Sequence, residues 1–201
     1  MIAAVELKRF GRPEWALKYA YIAEAMKGSP SMNMKFPGSS TELDDFQFFM
    51  RRLTSDMTPQ EIICDGIMLK NTLIRHVSQR SGRQAHWIIG AKYRIPNDDH
   101  LHYMKQGDYE SLAGEIKDRN HNLPDKWFVV DVIRGSMEGT ERMHKSYEEW
   151  ARHLSSSDKT VYRWAGSREP GYKSIKYYLG IWEDDAMVHV TEKLRELGEL
   201  Q

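Results

Sequence analysis

Apolar positions along the chain recur at helical spacing, and the polar residues between them carry the cap and stop signals that set element boundaries. Gly11-Arg12-Pro13-Glu14 leads into a periodic stretch, Trp15 through Lys27, that ends at Gly28. This predicts a helix with proline in its first turn and glycine just past its end. Residues 29–40 hold two prolines, no period, and the large apolar side chains Met32, Met34 and Phe36. They predict a loop long enough to be either disordered or a contact element. Thr41-Glu42-Leu43-Asp44 then caps a short apolar helix containing Phe46, Phe48, Phe49 and Leu53. Thr58-Pro59-Gln60-Glu61 combines a capping residue, a proline at the first helical position and an acid at the third, so a long helix starts there. Its predicted buried stripe is Ile63, Ile67, Ile74 and Val77, with Ile62 and Leu73 beside them. Ser81-Gly82 breaks the pattern, and Gln84 to Arg94 resumes it until Pro96, which predicts two helices joined by a tight turn.

Residues 97–110 read as a polar connection, followed by a short helix from Tyr109 to Lys117 and a longer one opened by Leu123-Pro124-Asp125. Ser146 and Glu149 form a capping box at the start of a helix that runs to Leu154. Ser155-Ser156-Ser157 ends that helix and caps the next, Asp158 to Trp164. Gly171 to Leu179 predicts a further helix, with Tyr178 and Leu179 inside and Tyr172 and Lys173 nearer solvent. The last helix, Glu183 to Leu200, places Met187, Val190, Leu194 and Leu197 on one face, suited to closing the core or to dimerisation. The expected fold is all-α, a multi-helix body with a C-terminal helix-turn-helix. The expected divisions are 1–57 (N-terminal helices and loop), 58–140 (a central helical domain with a basic face) and 141–201 (the helix-turn-helix and C-terminal helices).

With 201 residues, 40% hydrophobic and 29% charged, the chain falls outside the collagenous, disulfide-scaffold and disordered classes. It has no run of 18 apolar residues, and charge arrives at Glu6, so neither a membrane span nor a secretory leader is expected and the expected compartment is the cytoplasm. The single cysteine, Cys64, excludes an intramolecular disulfide and multi-thiolate zinc sites, and its apolar neighbours Ile62 and Ile63 predict a buried small side chain. His100 and His102 lie near Asp98 and Asp99, but nothing else converges on them and no metal or cofactor is assigned. There is no phosphate-binding glycine loop, no His-Glu-x-x-His and no glycine-flanked nucleophilic serine, so no catalytic residue is assigned and a non-enzyme is expected.

Twenty-nine basic residues balance 29 acidic ones, yet the charges are segregated. No acid falls between Asp65 and Asp98, an interval holding Lys70, Arg75, Arg80, Arg83, Lys92 and Arg94. Lys159, Arg163, Arg168, Lys173 and Lys176 form a second basic interval against Glu169 alone, interleaved with Tyr162, Trp164, Tyr172, Tyr177 and Tyr178. Each interval reads either as a solvated helix face or as a phosphate-facing surface. For the second interval the local plan favours contact. Ala151 supplies the small residue needed where two helices cross, and Trp150, Leu154, Val161 and Trp164 line the inner angle. The outward positions are then Ser157, Asp158, Lys159, Tyr162 and Arg163, of which Lys159 and Arg163 suit guanine edges or phosphates. Such motifs often have glycine where Ser155 stands and an apolar residue where Ser156 stands. A plain helical hairpin gives the same pattern.

These segments, together with Trp15-Ala16-Leu17-Lys18-Tyr19, Trp87-Ile88-Ile89-Gly90-Ala91-Lys92-Tyr93, Tyr147-Glu148-Glu149-Trp150-Ala151 and Tyr177-Tyr178-Leu179-Gly180-Ile181-Trp182, resemble the late-gene transcription antiterminators of lambdoid phages, mainly over residues 84–190. The cysteine cluster of the zinc-containing members is missing, so the resemblance is to a zinc-free branch. It implies a factor working in a bacterial host cell that binds a double-stranded DNA element, joins RNA polymerase and carries it past terminators. On that reading Ser157, Asp158, Lys159, Tyr162 and Arg163 would read DNA, Arg168, Lys173 and Lys176 would hold phosphates, and the face from Lys70 to Arg94 would meet DNA or nascent RNA. Two other expectations stand beside it: a dimeric helix-turn-helix repressor or activator, and a protein-binding adaptor that uses Met32, Met34 and Phe36 without touching nucleic acid.

Overall fold

The fold is that of a computed structural model, which describes residues 9–27, 40–138, 143–166 and 172–200. Among these residues there are nine helices and no strand. They are α1 (Pro13–Met26), α2 (Ser40–Leu53), α3 (Pro59–Ser81), α4 (Arg83–Tyr93), α5 (Asp99–Arg119), α6 (Lys126–Glu138), α7 (Tyr147–His153), α8 (Asp158–Gly166) and α9 (Ile175–Glu196). The all-α expectation holds. The loop predicted over residues 29–40, with Met32, Met34 and Phe36, lies almost wholly outside the described residues, as does Arg168.

Caps set the boundaries where the side chains predict them. Thr58 accepts from the backbone of Glu61 while Glu61 reaches back to the Thr58 backbone, and Ser146 and Glu149 repeat the exchange at the start of α7. Gly82 separates α3 from α4 at φ 83°, a left-handed conformation that a side chain resists.

Three elements differ from the sequence expectation. The polar stretch from residue 99 onward belongs to α5, a single helix of 21 residues whose N-terminus is capped by Asp98 accepting from Leu101 N at 2.7 Å. Its buried stripe is Leu101, Lys105, Asp108, Tyr109, Leu112, Ala113 and Ile116. Two of these are charged, so the apolar period vanishes although the helical face is real. Likewise α9 runs unbroken from Ile175 to Glu196, with Glu183-Asp184-Asp185 in its interior and not at a boundary. In α3 the buried stripe is Ile62, Gly66, Leu69, Leu73 and Val77, while Ile63, Ile67 and Ile74 are only half-buried. The stripe is rotated by one position, and Cys64 is exposed instead of buried.

A single apolar cluster runs from Phe10 to Leu200 through α1, α3, α4, α5, α6 and α9. α3 lies centrally against α1, α4 and α9, and α9 also packs on α4, α6 and α8. The α1–α3 approach is close enough that a Cβ on Gly66 would stand 2.2 Å from Ala23 Cβ. The ends of the described chain meet in an isolated bridge, with Phe10 N donating to Glu199 O at 2.7 Å. Beside it, Arg9 and Tyr19 both donate to Asp65, the tyrosine at 2.6 Å, and pin the N-terminal segment to α3.

Candidate functional site

α7 and α8 form a compact pair whose inner surface is aromatic. Trp150, Ala151, Val161 and Ala165 are buried, and Phe128 of α6 meets Trp150 and Trp164 edge-on at 5.4 and 6.1 Å between ring centroids. Ser155, in the turn, has φ 49°. A non-glycine residue seldom adopts this left-handed geometry, and it lets the chain reverse within the serines. The pair is fastened to α6 by Asp131, a carboxylate 2% exposed. Its Oδ1 accepts from His144 N at 2.7 Å, and its Oδ2 accepts from Lys145 N at 3.1 Å and from Trp150 Nε1 at 2.7 Å. Lys145 covers the outer face of the Trp150 ring at 4.4 Å.

On the outer side of α8, Ser157, Asp158, Lys159, Tyr162 and Arg163 are all exposed. Ser157 is engaged in capping, accepting from Thr160 N at 3.2 Å. The Tyr162 ring stands edge-on to Tyr147, and the Arg163 guanidinium lies over Tyr172 at 4.5 Å. Lys173 and Lys176 are exposed at the start of α9. The Lys176 stem lies along the end of α8, since a Cβ on Gly166 would be 3.0 Å from Lys176 Cδ, and the Lys173 carbonyl accepts from Asn120 Nδ2 at 2.9 Å. The structure therefore brings Lys159, Arg163, Lys173 and Lys176 onto two adjoining elements. Tyr178 and Leu179 are buried and Tyr172 half-buried, as the sequence expected.

The other basic interval does not form one face. Arg75, Arg80 and Arg83 are exposed. Lys70 is bonded to Glu24 of α1 and Lys92 to Glu183 of α9. Arg94 is 3% exposed, pairs with Asp108 of α5 and lies 3.8 Å from Glu24, so it belongs to the interior and not to a surface. The interval is basic in sequence because its counter-charges come from other helices.

That interior cluster was missed by sequence reasoning. Glu24, Lys70, Arg94 and Asp108 interlock, and a second buried pair, Lys105 Nζ to Glu138 Oε1 at 2.8 Å, is joined by the Tyr109 hydroxyl. Gly90 permits the Arg94–Asp108 contact, since a Cβ there would stand 2.2 Å from Asp108 Oδ2. Burial pushes the Asp108 carboxyl up to about 6 against the opposing pull of Arg94. Burial, then Arg94 and Lys70, hold the His86 imidazole below its ordinary value. Positive and negative partners balance, and the ion pairs tie α1, α3, α5 and the end of α4 to one another.

His100 and His102 sit exposed in the first turn of α5, two positions apart and so on different faces. Among the described residues, the ligand-type side chains that converge are His76 of α3 with His189 and Glu192 of α9. No described helix is long and apolar enough to cross a membrane. On α9, Val190 and Leu194 are buried in the chain's own core, Met187 is half-buried and Leu197 is exposed, so that face mainly closes the core. Comparisons with protein-family models, with curated proteins and with solved structures find no match to this chain.

Proposed function

We propose that this chain is a DNA-binding transcription factor in which α7 and α8 form a helix-turn-helix, and that it acts as an antitermination factor on RNA polymerase. The observation that carries the first part is the two-sidedness of α8. Val161 and Ala165 face inward, while Asp158, Lys159, Tyr162 and Arg163 face solvent. A recognition helix needs its apolar side spent on the fold and its hydrogen-bonding side open to a groove. The left-handed Ser155 supports the reading, because it stands where glycine is common in such turns. Lys173 and Lys176 would hold phosphates beside the groove, and Arg75, Arg80 and Arg83 would meet DNA or nascent RNA elsewhere. The antitermination role rests on the resemblance set out above.

The test is binding of the full chain to duplexes selected from a randomised pool, read by fluorescence anisotropy. Lys159→Ala with Arg163→Ala is expected to abolish sequence-specific binding and to leave stability within about 1 kcal/mol, since both residues are exposed. Unchanged binding would refute the recognition helix. Transcription in vitro across a terminator then checks the second part: read-through that needs both the protein and its DNA element supports antitermination. Specific binding without read-through would instead leave an operator-binding repressor or activator.

A further inference from the structure

The seam between α3 and α9 brings His76 of α3 against His189 and Glu192, which lie three positions apart on α9. One ligand-capable atom from each of His76, His189 and Glu192 lies within 4.8 Å of the others. The two imidazoles meet edge-on, with centroids 6.2 Å apart. His189 Nδ1 is 2.7 Å from Glu192 Oε2, and its Nε2 is 3.9 Å from Asp185 Oδ1. Asp185, His189 and Glu192 follow one another at four and three positions, so helical geometry stacks them on one stripe of α9 facing α3. His76 Nε2 is sealed from solvent and has no hydrogen-bond partner.

We propose that His76, His189 and Glu192 form a binding site for a divalent transition cation of the zinc class, with Asp185 orienting the His189 ring. A histidine–glutamate hydrogen bond alone accounts for His189 and Glu192. It leaves the convergence of His76 on the pair, and its unpartnered ring nitrogen, without a purpose. Two imidazoles and one carboxylate are a donor set for zinc and its neighbours, and are wrong for calcium or magnesium, which take oxygen. His189 binds the cation through Nδ1, the nitrogen on the Glu192 side, which leaves Nε2–H to donate to Asp185 in the carboxylate–histidine–metal arrangement. Around a tetrahedral ion with bonds of about 2.0–2.1 Å, neighbouring ligand atoms stand roughly 3.3 Å apart. Glu192 must therefore draw back by a few tenths of an ångström and the wider contacts must close in, movements open to a side chain that is 49% exposed. Three protein ligands leave the fourth position of a tetrahedral ion for water. A bound ion would tie α3 to α9, and it would sit roughly 20 Å along α9 from Lys176, clear of the basic surface formed by α8 and the start of α9.

The experiment uses the untagged full chain stripped of metal by chelation. Zinc affinity is measured by competition with a chromophoric chelator, and cobalt is added as a visible-absorption reporter of tetrahedral coordination. One equivalent is expected to bind and to raise the melting temperature. His76→Gln and Glu192→Gln should each weaken zinc by about tenfold or more and erase the cobalt band, and Asp185→Asn should weaken it about tenfold. Should His76→Gln fail to fold by circular dichroism, the exposed Glu192→Gln decides alone. Absence of binding by the wild type, unchanged affinity in Glu192→Gln, or loss of binding on replacing His100 and His102 would each overturn the site.

Discussion

Replacing Asp131 by alanine tests whether the α7–α8 pair is positioned by one buried carboxylate. Asp131 is 2% exposed and accepts from two backbone N–H groups and the Trp150 indole. A hydrogen bond to a charged acceptor contributes about 1.5–3 kcal/mol, and removing the acceptor strands its donors. Water entering the space left by the carboxyl would recover part of the loss, so Asp131→Ala should cost about 3–5 kcal/mol. That is a large share of a total stability of roughly 5–15 kcal/mol. Trp150→Phe isolates one bond: it keeps the edge-on contact with Phe128 and removes a single donor, for an expected cost of about 1–2 kcal/mol. In the Asp131→Ala background the same change should cost about 1 kcal/mol less, because its partner is already gone.

Urea denaturation followed by tryptophan fluorescence supplies the free energies, and native-state hydrogen exchange locates them. The amides of α7 and α8 should lose protection before those of α3 and α9. A change below about 1 kcal/mol for Asp131→Ala, or uniform loss of protection across the fold, would refute the reasoning, because a surface-like substitution costs that little.

Two further outcomes follow from backbone and charge. Ser155 occupies φ 49°, so Ser155→Gly should stabilise by about 0.5–1 kcal/mol and Ser155→Val should destabilise by about 1–2 kcal/mol, both read by thermal melting; the reverse order would mean the turn is not left-handed. Asp108 holds its proton to about pH 6 in the fold against 3.8 as an ordinary carboxyl, so its contribution to stability declines as pH rises between those values. The stability of the wild type relative to Asp108→Asn should therefore fall by about 2 kcal/mol from pH 4 to pH 6, and a constant or rising difference in urea titrations would contradict the raised value.

Much of the helical framework was legible because it rests on local rules. Thr58 and Ser146 announce their caps, Pro13 and Pro59 sit in first turns, and Gly82 stops α3 where a left-handed residue is required. The outward set on α8 was legible for the same reason: a short amphipathic helix with Val161 and Ala165 on one side has its other side fixed. What sequence could not supply is pairing at a distance. Lys105 and Asp108 hid the inner face of α5, because a charge on a buried stripe looks polar until its partners Glu138 and Arg94 are placed. Arg94 itself read as surface because its counter-charge lies in another helix. His76 gave no signal, since it meets His189 and Glu192 only once α3 and α9 are packed, and Asp185, His189 and Glu192 by themselves look like an ordinary solvated helix face.

The contacts around α8 determine how the basic surface would behave as a unit. Asp131 and the Phe128–Trp150–Trp164 rings hold the inner side of the α7–α8 pair, while Arg163 on Tyr172 and the Lys176 stem on Gly166 join α8 to the start of α9. Lys159, Arg163, Lys173 and Lys176 are therefore set relative to one another before any ligand arrives, which removes part of the ordering cost of binding. If each of these cations met one phosphate, the logarithm of affinity would fall with the logarithm of salt with a slope of about −3.6, and each alanine substitution would reduce that slope by about 0.9. Tyr172→Ala leaves every charge in place and removes only the ring under Arg163. On a preset surface it should weaken binding while leaving the slope near −3.6, whereas a drop in slope equal to that of Arg163→Ala would mean the arginine depends on the ring to reach its phosphate at all.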